Sequence, residues 1–329
     1  MLKRRAFLNL SGARPAPTNG YWQHISRSAM ACRFEVTMPL SNANGVQAAT
    51  AALDAVERLE AQLTIFRADC EVSFINQHAA EQAVSVEPAL FALLQCSQQI
   101  AAETGGVFDI TSSPLSQCWG FLRREGRIPT PDEITAAMTF TGNDKLFFDE
   151  QARTIRFTQS GVKINLGSIG KGYALDCIAK QYRLGNALLS AGSSSFLALG
   201  RGAGNGWTVG VRHPEHQERR LAIVHLRDAA LSTSGSEEQF FEYEGRRYGH
   251  IIDPRSGQPA DRVTTVSVIA PSAALTDALA TAFYVGGKEL AESYCATHPD
   301  VLVLLLERGA TQPVLIGQSN HCEVELIHE

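Results

Sequence analysis

Apolar and polar positions alternate over residues 32–39, "CRFEVTMP", the period of a half-buried strand. The period then changes. In residues 45–63 Ala52, Val56, Leu59 and Leu63 recur at helical spacing. A second helical stretch covers 88–106, with Pro88 suited to its first turn and Gly105-Gly106 as its stop. Residues 115–150 are polar and rich in Pro, Asp and Gly, with only short apolar runs. "TIRFTQSGVKINLG", 154–167, reads as a strand–turn–strand hairpin, and a Gly-rich turn leads into a helix over 171–183. Short β runs follow: "ALLSAG", "WTVGVR", "LAIVHL", "ALSTSG", "YGHIID" and "TTVSVIAP". One more helix, 274–287, precedes the strand "VLVLLLE". Helices are interspersed with strands, but hairpin turns dominate the second half. The expectation is an α+β fold with a largely antiparallel sheet, rather than a doubly wound parallel one.

Composition adds little to this picture. The 329 residues are 44% hydrophobic and 19% charged, ordinary for a globular chain with a large core. Net charge is −5 and the basic residues are scattered, which argues against a nucleic-acid footprint. No run of about 18 apolar residues predicts a membrane span. "RRAFL" near the start looks like a twin-arginine export signal, but Asn9, Ser11, Arg14 and two prolines stand where an apolar stretch of roughly 7–15 residues is needed. Residues 1–27 therefore read as a poorly ordered leader, and 28–329 as a single domain. Seven cysteines, an odd number without a CxxC pair, argue against a disulfide framework or a zinc site.

Candidate chemistry lies in a few short stretches. In "INLGSIGKGYALD" glycines 167, 170 and 172 join a strand to a helix, with Lys171 at the mouth. Helix-start N–H groups and a lysine suit an anion such as phosphate; a tight turn with an exposed lysine fits equally. In "SAALTDALATAFYVGG" Asp277 and Thr281 are four apart, on one face of an apolar helix. A carboxylate plus a hydroxyl suits a hard cation such as Mg²⁺ completed by phosphate oxygens. A helix-dipole acid and a threonine bonded to its own backbone would look the same. "ETGGVFDITSSPL" offers backbone for a flat ligand or a plain helix cap, and "ALSTSGSEEQFF" offers hydroxyls. In "HIIDPRSGQP" an Asp-Pro turn needs neither His250 nor Arg255. His250 can take a proton from a nucleophile. Arg255 can meet a phosphate charge or hold the turn through carbonyl bonds.

Taken in order, "MACRFEV", "LTIFRADCEVSFIN", "TGGVFDITSSPL" with "WGF", "INLGSIGKGYALD", "LSTSG", "HIIDPRSGQP" and "TDALATAFYVGG" resemble the ApbE-type FAD:protein FMN transferases over roughly residues 28–290. The resemblance implies a T-fold-related fold and a reaction. FAD binds with Mg²⁺, a Ser or Thr of a client protein attacks the phosphorus on the FMN side, and AMP leaves. It implies Ser168 (through its carbonyl), Asp277 and Thr281 as metal ligands and His250 as the base. It places Lys171 near the pyrophosphate, and Met30, Phe66, Val107, Phe108, Asp109 and Ile251 around the flavin nucleotide. It also implies work outside the cytoplasm, although no lipobox cysteine follows the leader. One segment departs from the pattern. Where the family carries Asn-Ala-Gly-Gly-Asp, this chain reads "SAGSSSFLALG": Gly192 is kept, and Ser193 and Ser194 replace the second glycine and the acid. An altered pocket floor or altered nucleotide handling is the expectation. Two other activities fit the same residues: FAD pyrophosphatase, with water in place of the client hydroxyl, and a flavin carrier without catalysis.

Overall fold

A computed structural model describes residues 21–41, 44–214, 216, 218–235 and 239–327. Its centre is an eight-stranded sheet. The strands, in chain order, are β1 (Trp22–Ala29), β2 (Cys32–Pro39), β3 (Ala187–Ala191), β4 (Ser195–Leu199), β5 (Ala229–Gly235), β6 (Val263–Ala270), β7 (Leu302–Glu307) and β8 (Val314–Gly317). Each pairs antiparallel with the next, so spatial order equals chain order. This is the α+β, antiparallel architecture that the hairpin-rich pattern predicts.

Helices α1 (Gly45–Leu63), α2 (Pro88–Glu103), α3 (Gly170–Tyr182) and α4 (Ala273–Thr297) supply most of the helical packing. One face of the sheet packs against α1, α3 and α4 through residues such as Leu189, Leu197, Val303 and Leu305. The other face carries Leu188, Leu231, Leu302, Leu304 and Leu306 against a three-stranded sheet of Trp207–Arg212, Arg220–Leu226 and Cys322–Leu326. Both faces of β7 are thus covered, which is why "LVLLL" is continuously apolar instead of alternating. Each fully buried Leu or Phe of these layers contributes roughly 1.5–3 kcal/mol.

Several expectations change. Strand β1 begins at Trp22 and pairs along its full length with β2, so the ordered domain starts inside the stretch read as leader. Residues 1–20, with the twin-arginine-like segment, lie outside the described residues. The hairpin expected over 154–167 does not form. Thr154–Phe157 pairs instead with Leu146–Asp149 and Val84–Ser85. The second half of that stretch is irregular because side chains satisfy its backbone: Asn76 both donates to the Ile164 carbonyl and accepts from its N–H. The polar excursion at 115–150 holds a helix, Pro131–Met138, closed by a Thr130/Glu133 capping box. Helix α4 does not stop at Gly286-Gly287. Gly287 adopts φ 76° and kinks the helix, and the chain resumes its turns to Thr297. All seven cysteines are free thiols. Among the described residues no helix is long and apolar enough to cross a membrane.

Candidate active site

The N-termini of α3 and α4 meet at Gly172, whose missing side chain makes room for the Ala273 carbonyl. A Cβ there would overlap that carbonyl and sit 2.7 Å from the Ala274 nitrogen, both rigid backbone. The same contact is locked by Asp176 of α3. Its carboxylate accepts from the Ser272 hydroxyl at 2.8 Å and from the Ala273 and Ala274 N–H groups, each at 2.9 Å, so one helix caps the start of the other. Burial pushes the Asp176 carboxyl above the usual carboxylate range, and these donors pull it back. Gly172→Ala is therefore expected to cost roughly 1–3 kcal/mol through overpacking, checked by denaturant unfolding. The variant also pushes α3 off the residue described next.

That residue is Asp277, in the first turns of α4 and only 8% exposed. One carboxylate oxygen accepts from the Gly172 N–H at 2.7 Å, the other from the Ser195 hydroxyl at 2.7 Å. Thr281 lies one turn on, and its hydroxyl donates to the Asp277 carbonyl at 3.3 Å. Lys171, beside Gly172, donates to the Ser194 hydroxyl at 3.1 Å.

Asp277, Thr281, Lys171 and Ser168 open into one cleft of about 280 Å³, together with Val107, Asp109, His250 and Ile251. His250 follows the hairpin Phe240–Tyr243/Arg246–Gly249. Its backbone N–H and its ring Nδ1 both lie 3.0 Å from the Gln239 carbonyl. A carbonyl oxygen only accepts, so Nδ1 carries the proton and the acceptor nitrogen of the neutral ring is Nε2. Gln239 is itself tied down, its side chain donating to the Phe121 carbonyl at 2.9 Å. Below the histidine, the turn is closed by the Asp253 carbonyl, which accepts from Ser256 and Gly257. Arg255 holds this turn through the Asp253 carboxylate, not through carbonyls: two guanidinium nitrogens reach it at 2.8–2.9 Å. Asp109 accepts from the Thr111 N–H and hydroxyl at 2.7 and 2.6 Å. Burial raises its carboxyl above the usual range, against those two donors.

Three expected residues stand apart from this cleft. Phe108 is fully buried in the core, between two residues that line the cleft. Met30 sits in the β1–β2 turn with φ 48° and packs against the core clusters. Phe66 is 75% exposed and borders a second cavity of about 580 Å³, which shares Leu122 with the first. Conversely, the sequence reading missed Asp176, Ser195 and Gln239. Asp176 closed a quoted motif and Ser195 stood in the departing segment, so both had a signal. Gln239 acts through its backbone and had none.

Asp277, Thr281 and Ser168 all line this cleft and offer only oxygen donors: a carboxylate, a hydroxyl, and the hydroxyl or carbonyl of the serine. Each Asp277 oxygen accepts one hydrogen bond and keeps a lone pair. This donor set fits a hard cation such as Mg²⁺. Among the described residues there is no group of three or more His, Cys, Asp or Glu side chains that could hold a metal ion, so any cation here would take hydroxyl, carbonyl or ligand oxygens beside the one carboxylate.

Comparison with known proteins gives the same family throughout. The ApbE family model matches residues 30–305. The FAD:protein FMN transferase of Treponema pallidum is 32% identical over 270 residues, covering 76% of this chain and 74% of that protein. The enzyme of the same name from Escherichia coli is 31% identical over 267 residues, covering 78% and 75%. Among solved structures, the ApbE protein of Thermotoga maritima superposes with a TM-score of 0.81 at 28% identity, covering 91% of this chain and 97% of that one. The flavinyl transferase ApbE of Pseudomonas stutzeri gives 0.78 at 26%, covering 90% and 95%. With the pattern matched across most of its length and the fold shared with these relatives, this chain belongs to the ApbE family.

Proposed function

We propose that this chain transfers FMN from FAD to a Ser or Thr hydroxyl of a client protein and releases AMP. The observation that carries the reading is the cleft itself. It gathers a tautomer-fixed imidazole, a buried carboxylate with a hydroxyl one turn away, and a lysine at a helix N-terminus, from three distant parts of the chain. The names of the relatives, FAD:protein FMN transferase, support the same reaction.

The chain's own residues divide the work. His250 Nε2 takes the proton of the acceptor hydroxyl as its oxygen bonds to the phosphorus on the FMN side. The P–O bond to the bridging oxygen breaks, and AMP departs with the electron pair. Lys171 and the N–H groups at the start of α3 face the pyrophosphate charge. Asp277, Thr281 and the Ser168 carbonyl hold Mg²⁺, which when bound offsets charge on the phosphate oxygens. Val107, Asp109 and Ile251 line the wall against the flavin nucleotide, and Phe66, exposed at the adjoining cavity, offers a ring for stacking.

The test is to incubate the protein with FAD, Mg²⁺ and a flavin-acceptor domain and to look for flavin fluorescence that survives denaturing electrophoresis on the acceptor. Labelled acceptor together with AMP is the expected result. FMN and AMP without label would mean that water is the acceptor, and retained FAD without products would mean a carrier.

A further inference from the structure

The segment that departs from the family pattern sits inside the site and is anchored on both sides. The Gly192 N–H donates to the Arg33 carbonyl, and the Ser194 carbonyl accepts from the Thr233 N–H, each at 2.8 Å. Ser195 opens β4 with no exposed surface, and Ser194 before it is 7% exposed. Their hydroxyls reach the two charged side chains described above: Ser195 donates to Asp277 at 2.7 Å, and Ser194 accepts from Lys171 at 3.1 Å. Asp277 has one oxygen tied to α3 through Gly172 and the other tied to the sheet through Ser195. Its carboxylate plane is thereby fixed between two rigid elements.

We infer that Ser195 is a positioning residue for Asp277, fixing the carboxylate orientation that receives the divalent cation, and that Ser194 does the same for the Lys171 ammonium. The serine run is then a working variant of the pocket floor, not a sign of lost activity. The inference rests on the cation role given to Asp277 above. A hydroxyl held at 2.7 Å on a metal-binding carboxylate is the kind of outer partner whose removal weakens metal affinity about 10–100-fold.

The experiment measures Mn²⁺ binding directly, from the loss of the free-ion electron paramagnetic resonance signal, in the full chain with FAD present. Wild type, Ser195→Cys, Ser195→Ala and Asp277→Asn are compared, with FAD affinity measured separately by fluorescence quenching. Ser195→Cys keeps the volume and a weak donor, so it is available if the alanine variant does not fold. The expected order of Mn²⁺ affinity is wild type, then Cys, then Ala, with roughly a tenfold loss at Ala. FAD affinity stays unchanged, and turnover recovers at saturating cation. Ser194→Ala should instead weaken FAD binding and leave Mn²⁺ binding alone. If Asp277→Asn loses Mn²⁺ while the Ser195 variants keep wild-type affinity, the positioning role is overturned and the cation site stands. A uniform loss of Mn²⁺ and FAD binding together at Ser195→Ala or Ser195→Cys also overturns it, since that is damage to the fold. If wild type binds no Mn²⁺, or Asp277→Asn binds it normally, the cation site and the inference fall together.

Discussion

His250→Ala should lower flavin transfer about 10²–10⁴-fold while FAD stays bound, the loss typical of removing a general base. The reason lies in the Gln239 carbonyl. It holds Nδ1–H, so the neutral ring presents Nε2 as the basic nitrogen. The ring donates to the Gln239 carbonyl and meets Phe121 edge-on with centroids 6.5 Å apart, and neither of these is a residue that faces the pyrophosphate. His250→Asn separates orientation from basicity. Its amide N–H can still donate to the Gln239 carbonyl, but it has no basic nitrogen. Both variants should therefore be equally slow in the acceptor-labelling assay. Asn restoring most of the rate would show that the ring's role is to order the loop. Transfer at the wild-type rate in the alanine variant would remove His250 from the reaction.

The fold was legible where one physical cause controlled one stretch of chain. Helix α1 follows from apolar spacing, and α3 from a glycine turn feeding a helical run. Strand β1 was missed because it is an edge strand: Ser26 and Ser28 face solvent, and only Ala29 is fully buried. The false hairpin at 154–167 came from apolar residues that do enter the core, Val162 and Ile164, but as irregular chain tied to Asn76. At Gly287 the local rule for a helix stop lost to packing, since Ala291 and Tyr294 beyond the kink are buried. The site shows the same limit. Glycines, Lys171, Asp277 and His250 each carry a signal of residue type. That Gly172 N–H and Ser195 share one carboxylate, or that a glutamine carbonyl selects a tautomer, depends on contacts 82 and 105 residues apart or on backbone atoms. No local pattern encodes those.

Asp277→Asn is the second large effect, expected to reduce transfer roughly 10²–10³-fold, the scale of losing one electrostatic group at a charged transition state. It should also flatten the Mg²⁺ dependence. The choice of asparagine matters. Asp277→Ala would strip an acceptor from two buried donors, the Gly172 N–H and the Ser195 hydroxyl. Each orphaned group costs about 1–3 kcal/mol, so lost activity there would be mixed with lost stability. Asparagine keeps the volume. Its amide oxygen can accept from Gly172, and its N–H₂ can donate to the Ser195 hydroxyl, which rotates to accept. The α3–α4 contact is then preserved and only the negative charge is gone. Thermal unfolding should show the variant near wild type, and a Mg²⁺ titration of transfer should show little response. A normal Mg²⁺ titration with a normal rate would mean that the carboxylate serves to join two helices to the sheet, and that the cation binds elsewhere.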